Sequence, residues 1–131
     1  MTQEDKELLL KDLCTRLPYG LKVKCEKYPL PVTVLYAGNI DEVKFRETGG
    51  IENIYTIKPY LLPLESMTEE QRREYDKIIY HSIELHHREY SDIVEIDLFD
   101  NLQDFYCKNH LDYRGLIPMG LALDATGKNI Y

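Results

Sequence analysis

Four short segments in the first half of the chain have the two-residue period of half-buried β-strands, at residues 21–28, 32–38, 42–48 and 51–57. In the first segment Leu21, Val23 and Cys25 alternate with charged residues, so one face is buried and the other meets water. Gly49 and Gly50 form a hairpin-type turn between the last two segments. Connections this tight predict a small antiparallel four-strand meander, either a curved sheet or a small open barrel.

A helical pattern precedes these strands. We expect an amphipathic helix over residues 2–17, because Thr2 can cap it and acidic residues occupy its first turn, where the helix dipole favours negative charge. Pro18 and Gly20 end it. The i, i+3, i+4, i+7 spacing predicts one buried stripe, formed by Leu10, Leu13, Cys14 and Leu17.

Two further helices are predicted after the strands. Ser66 and Glu69 fit a capping box, so the second helix is expected to begin there. Asp97 is the expected cap of the third helix, which ends near Asn109, and residues 92–96 are expected to be a short strand or extended. The predicted inner faces are Tyr75, Ile78, Ile79, Ser82 and Ile83 in the second helix and Leu98, Leu102, Phe105 and Tyr106 in the third.

The remaining segments connect and close this arrangement. Residues 58–66 are rich in proline and predict an extended link lying on the core. Residues 110–131 are apolar and punctuated by glycine turns, so we expect a C-terminal strap that packs on the core. With no internal repeat and no linker, residues 1–131 are predicted to form a single α+β domain.

Charge is distributed unevenly along the chain. The net charge is −7, and all of the acidic excess lies in residues 61–131. An acidic surface repels phosphate backbones, so nucleic acid is an unfavoured partner. A local basic face would weaken that exclusion, and its candidate residues are Lys22, Lys24, Lys44 and Arg46.

The cysteines and the apolar runs bear on location. Three widely spaced cysteines, Cys14, Cys25 and Cys107, without a secretory signal predict reduced thiols in a cytoplasmic protein. Cys14 and Cys25 are expected in the core. The apolar runs are too short to span a membrane, so no membrane partner is expected. No cofactor motif is present, and none is predicted to bind.

Three segments of the chain, in this order, are LLLKDLCTRLPYGLKVKC, IKPYLLPLESMTEEQ and the closing HLDYRGLIPMGLALDATGKNIY. Together they resemble an uncharacterised family of short proteins from gut Bacteroides species and their phages or prophages. That family has no assigned activity, so the resemblance implies no catalytic residues. It implies a cytoplasmic protein of a bacterium or phage, encoded on a mobile element.

Histidines and carboxylates are the first candidates for chemistry. None of the pairs among His81, His86, His87 and His110 has the i, i+4 spacing of a helical zinc site, so surface histidines are the simpler interpretation. His110 and Asp112 remain weak metal-ligand candidates. The acidic run of residues 92–104 is more typical of a solvated helix face than of a metal site. Its members are Asp92, Glu95, Asp97, Asp100 and Asp104.

Other residues are candidates for catalysis or binding. Cys107 and His110 are three residues apart on the predicted third helix, but nothing supplies an orienting group or an oxyanion site. Arg114 follows Tyr113 near a tight turn, where a guanidinium can bind a carboxylate or phosphate, although anchoring the tail to the acidic second half is simpler. If the tail binds a partner, the predicted binding surface is formed by Tyr113, Arg114 and Tyr131.

The predicted function is that of a non-enzymatic protein-binding or adaptor protein of a bacterial or phage mobile element. Small size, tyrosine content and the absence of a catalytic constellation favour another protein as the partner, and a homo-oligomer is a further option. The alternative is a small divalent-metal-dependent hydrolase or nuclease that uses His110, Asp112 and the acidic run of residues 92–104.

Overall fold

The computed structural model describes residues 1–37, 41–86 and 91–131, and the side chains of all of these except residues 85, 86 and 91–97. One helix is followed by five strands, and two further helices precede the last strand. The helices are α1 (Gln3–Arg16), α2 (Glu69–His86) and α3 (Ser91–Lys108). The strands are β1 (Lys22–Cys25), β2 (Val32–Ala37), β3 (Glu42–Phe45), β4 (Ile51–Asn53), β5 (Ile57–Leu61) and β6 (Leu123–Asp124). The α+β class is confirmed. No helix within the described ranges is long and apolar enough to cross a membrane.

The strands form one open sheet in the order β4-β3-β2-β1-β5-β6. Neighbours β1 to β4 pair antiparallel in chain order, which confirms the four-strand meander, and β5 pairs antiparallel with the free edge of β1. The short β6 joins β5 in parallel. Because its two edges do not meet, the sheet is not a closed barrel.

The predicted fourth strand, residues 51–57, is wrong as a single element. It divides into β4, a 3-10 turn at Ile54–Thr56 and the start of β5. The Asn53 side chain stabilises the turn by accepting a hydrogen bond from the Tyr55 backbone N at 2.8 Å. The turn redirects the chain to the opposite edge of β1, so the first half of the predicted link over residues 58–66 is strand β5.

The core lies between the sheet and α1, and the tail closes it. Leu9 and Leu13 of α1 belong to one buried cluster with strand residues such as Val23 and Phe45. Three tail residues complete the same cluster: Leu116, Leu121 and Ala122. The predicted C-terminal strap is therefore confirmed, because the apolar tail packs on its own domain.

The first helix begins as predicted but buries a different face. Thr2 forms a full capping box with Asp5. The fully buried residues are Leu9, Asp12, Leu13 and Arg16. The predicted stripe is thus one position out of phase, and Cys14 is exposed rather than in the core, whereas Cys25 is buried as expected.

Both later helices begin elsewhere than predicted. Ser66 ends a 3-10 turn, and Thr68 caps α2 through reciprocal hydrogen bonds with Gln71. Helix α3 begins at Ser91, so Asp97 lies inside it and residues 92–96 are helical, not a strand. A short apolar run fits either period, and here it is part of a helix that packs along α2. The side chains of Asp92, Glu95 and Asp97 lie outside the described residues.

Candidate functional site

Two buried charges on α1 meet the tail. Arg16 Nε donates to Asp12 Oδ2 at 2.8 Å, and both side chains are fully buried. Arg114 Nε donates to Asp12 Oδ1 at 3.1 Å, and its side chain is 16% exposed. We call Asp12, Arg16 and Arg114 the arginine junction. Placing one carboxylate between two guanidinium groups offsets part of the free-energy cost of burying these charges. That cost is large when a buried charge has no partner.

The arginine junction also holds the backbone of the tail. Arg16 Nη2 donates to the Leu111 carbonyl at 2.7 Å. Asp112 then accepts hydrogen bonds from the backbone N of Leu116 at 2.8 Å and of Ile117 at 2.9 Å, one to each carboxylate oxygen. Arg114 therefore anchors the tail, as expected, although its partner is Asp12 of α1 and not the acidic second half. Since both Asp112 oxygens bind backbone, this carboxylate is committed to a turn.

His110 and Tyr131 stack on each other at the end of the tail. Their ring centroids lie 3.5 Å apart and the planes are inclined by 7°. The Tyr131 hydroxyl donates to the Tyr60 carbonyl at 2.8 Å and accepts from the Lys22 backbone N at 3.0 Å, joining the last residue to β5 and β1. Burial lowers the pKa of His110 to about 4, so this imidazole is neutral at physiological pH.

Tyr113 is also engaged within the fold. Its ring stacks on Tyr106 of α3, with centroids 5.0 Å apart. The guanidinium groups of Arg114 and Arg16 lie 4.8 Å and 5.3 Å from the centroid of the Tyr113 ring. The structure thus brings the three predicted binding residues to the tail and places each in an intramolecular contact. Tyr131 keeps 42% of its surface exposed.

The metal-ligand candidates do not converge in the described part of the chain. Among the described residues, no group of three or more His, Cys, Asp or Glu side chains is arranged to hold a metal ion. His81 is exposed on α2, and Asp104 accepts a hydrogen bond from the Tyr19 hydroxyl at 3.2 Å. His87 and the side chain of His86 lie outside the described residues.

Cys107 is placed in the interior of the protein. Burial raises the pKa of its thiol, which therefore stays protonated at neutral pH. His110 is not placed as an activated base either, because burial lowers the pKa of the imidazole. Cys107 and His110 therefore resemble packing residues. They lack the thiolate–imidazolium pair that activates a cysteine nucleophile.

The hairpin of α2 and α3 leaves large apolar side chains in solvent. Tyr80 is 68% exposed, Ile83 is 54% exposed and Phe99 is 64% exposed. We call these three residues the hairpin surface. The predicted inner position of Ile83 is therefore wrong. Over residues 69–84, every side chain of α2 is exposed or half-buried, because α2 packs mainly along α3 and not on the sheet.

The register of the hairpin places Tyr80 and Phe99 at nearly the same level along the two helices. Tyr75 of α2 contacts Phe105 and Tyr106 of α3, with ring centroids 6.0 Å and 6.4 Å apart. Five residues further along α2, the antiparallel register brings Tyr80 level with Phe99. Ile83 lies one turn beyond Tyr80 on α2, at the i, i+3 spacing that puts two side chains on one side of a helix.

Sequence reasoning missed both the arginine junction and the hairpin surface. A signal for the first was present, since Asp12 and Arg16 are four residues apart on a helix, but this spacing is usual for an exposed ion pair. Tyr80 and Phe99 lie off the predicted inner faces, which was a signal for the second. Comparisons with protein-family models, with curated proteins and with solved structures found no match for this chain.

Proposed function

We propose that this chain is a non-enzymatic adaptor that binds another protein through the hairpin surface. One observation supports it above the others: Tyr80, Ile83 and Phe99 are all more than half exposed at one end of a two-helix hairpin. Large aromatic and aliphatic side chains gain most from burial, and they supply the anchors of most protein interfaces. Grouped apolar residues that a monomer leaves in water indicate an interaction site.

The charges around the hairpin surface support a different protein, and not a second copy of this chain, as the partner. Asp76 and Asp100 are exposed on the same two helices. A second copy of this chain would bring the same carboxylates face to face, which opposes self-association. A different protein with an apolar pocket and a basic rim would be complementary. In line with the sequence resemblance, we propose that this partner is a bacterial or phage protein.

Capture with matched variants tests the proposal. The tagged protein is incubated with a lysate of the cells that produce it, beside the Tyr80→Lys/Phe99→Lys variant and a Leu30→Lys control. Leu30 is 73% exposed and lies between β1 and β2, away from the hairpin. We expect one stoichiometric protein that the wild type and the control retain and the double variant loses.

Two results would count against this function. A partner bound equally by all three proteins would place the interface elsewhere. No partner, together with dimers of the wild type that the double variant loses in sedimentation, would assign the hairpin surface to self-association. Circular dichroism of each variant must match the wild type, and we expect it to, because both substituted side chains are exposed.

A further inference from the structure

Five of the nine basic residues in positions 1–60 lie on the solvent-facing side of the sheet. Lys24 and Lys58 are direct cross-strand partners of β1 and β5, so they share a face. That face is opposite to Val23 and Cys25, which point into the core. Lys22 lies two residues before Lys24 on the same side, paired with Thr33 of β2.

The basic face continues onto β3. Lys44 pairs with Tyr36 of β2 and lies on the side opposite to the buried Val43 and Phe45. Arg46 extends the same register, since its backbone N donates to the Thr33 carbonyl at 2.9 Å. We call the full set the basic face: Lys22, Lys24, Lys44, Arg46 and Lys58.

The basic face carries a net positive charge, although three carboxylates lie near it. Within the described residues, none of its five cations forms a salt bridge. The carboxylates are Glu26 and Glu42, two residues from Lys24 and Lys44, and Glu47, which accepts a hydrogen bond from the Thr33 backbone N at 2.7 Å. Like charges directly across a strand pair are destabilising, so the pairing of Lys24 with Lys58 is unfavourable in the absence of an anion.

Exposed tyrosines accompany these cations. Tyr36, beside Lys44, is 45% exposed, and Tyr55 is 48% exposed. A groove of about 230 Å³ is lined by Lys24 and Lys58 together with Tyr55, Thr56 and Glu26. Tyrosine rings offer stacking surfaces to bases, and an open sheet with interspersed lysines can track a phosphate backbone.

The basic face is too wide for a single small anion to contact all of its cations. Three strand spacings separate β5 from β3, which gives a width of about 14 Å at about 4.8 Å per spacing. An extended polyanion spans that distance. The exposed tyrosines favour a nucleic acid over an acidic peptide as the ligand, because bases stack on tyrosine rings and carboxylate side chains do not.

We propose that the basic face binds single-stranded nucleic acid without strong sequence preference. This inference goes beyond the proposed protein-binding function, because the basic face and the hairpin surface use different residues and elements. The overall charge of −7 weakens long-range attraction, so binding is expected to be local and of low affinity. Each surface can be tested with the other intact.

The test is fluorescence anisotropy with labelled single-stranded oligothymidine and oligouridine. Each oligonucleotide is about 12 nucleotides long, because one small domain covers about that length of single strand. The Lys24→Glu/Lys58→Glu variant is compared with a charge-matched control, Lys11→Glu/Lys77→Glu, whose lysines are exposed on α1 and α2. We expect the first variant to lose about tenfold or more in affinity and the control less than about threefold, because local contacts dominate over net charge.

Two further readouts separate stacking from charge. Tyr36→Ala should weaken binding about fivefold or more while leaving the salt dependence unchanged. The slope of log K against log salt should be about −2 to −3, as expected for three to four neutralised phosphates of a single strand. Absence of binding at low salt, equal losses in both charge variants, or equal affinity for polyglutamate would overturn the proposal.

Discussion

Removing the carboxylate of Asp12 should be among the most destabilising single changes in this protein. Asp12 and Arg16 are both fully buried, and Asp12 accepts from two guanidinium groups at 2.8 Å and 3.1 Å. In Asp12→Ala the Arg16 charge stays buried without its counter-ion. Breaking a buried pair in this way costs about 3–5 kcal/mol. Arg114→Ala should cost only about 1 kcal/mol, because the carboxylate keeps Arg16 as its partner.

Urea unfolding at neutral pH measures this difference. With a denaturant slope of about 1.5 kcal/mol/M, a loss of about 4 kcal/mol lowers the midpoint by about 2.5 M. Lys11→Ala, an exposed neighbour on α1, is the control and should change stability by less than about 0.5 kcal/mol. The Asp12→Leu/Arg16→Met variant should recover much of the loss, because it leaves no unpaired charge at position 16. A cost below about 1 kcal/mol for Asp12→Ala would refute the reasoning, since Arg16 would then reach water.

Three further predictions concern the tail and the thiols. Tyr131→Phe removes the hydroxyl between β1 and β5 and should cost about 1–2 kcal/mol in urea unfolding, and no loss would mean that the tail end is not docked. The pKa of His110, about 4 when folded, is below its unfolded value, so its contribution to stability is present above pH 6.5 and is lost as pH falls towards 4. This loss should reach about 2 kcal/mol and be absent in His110→Asn, and identical pH profiles would contradict it. A maleimide reagent should label Cys14 rapidly and Cys107 only on unfolding, as mass spectrometry of peptides would show, and equal rates would be inconsistent with this burial.

Local signals in the sequence predicted local structure well. The Thr2 cap, the four-strand meander and the packing tail all follow from period, turn residues and apolar content, and the structure confirms each. The cap and the hairpin turns depend on residues within a few positions of one another, and the apolar content of the tail is itself a local feature. The fold class therefore follows from the sequence without knowledge of distant contacts.

The errors in the predicted structure arise where residues distant in the sequence determine the local structure. The buried face of α1 is one position out of phase with the prediction because the buried Asp12 and Arg16 find further partners, Arg114 and the Leu111 carbonyl, in the distant tail. Local spacing does not reveal these partners, and without partners a buried charged residue is too costly to predict. Residues 92–96 are helical and not the predicted strand, because a short apolar run fits either period, and β5 was predicted as a link because its partner is β1 and not the preceding strand.

The candidate sites were predictable in part. Strand alternation in the sequence predicts that four of the five residues of the basic face lie on one side of the sheet. Lys58 joins them through the pairing of β1 with β5, which the sequence does not show. The hairpin surface was not predicted, since the pattern of α2 suggested that Ile83 packs inward. Exposure of an apolar residue depends on what the rest of the fold covers, which a single sequence does not encode locally.

Site-specific photo-crosslinking tests the adaptor function most directly. A photoreactive phenylalanine analogue is placed at Tyr80, at Phe99 and, as the control, at Leu30, and each protein is irradiated in the lysate of its own cells. The account predicts one product of the same added mass from the positions of Tyr80 and Phe99, containing a different protein, and no such product from the position of Leu30. Products that contain only this chain, or the same product from all three positions, would contradict it.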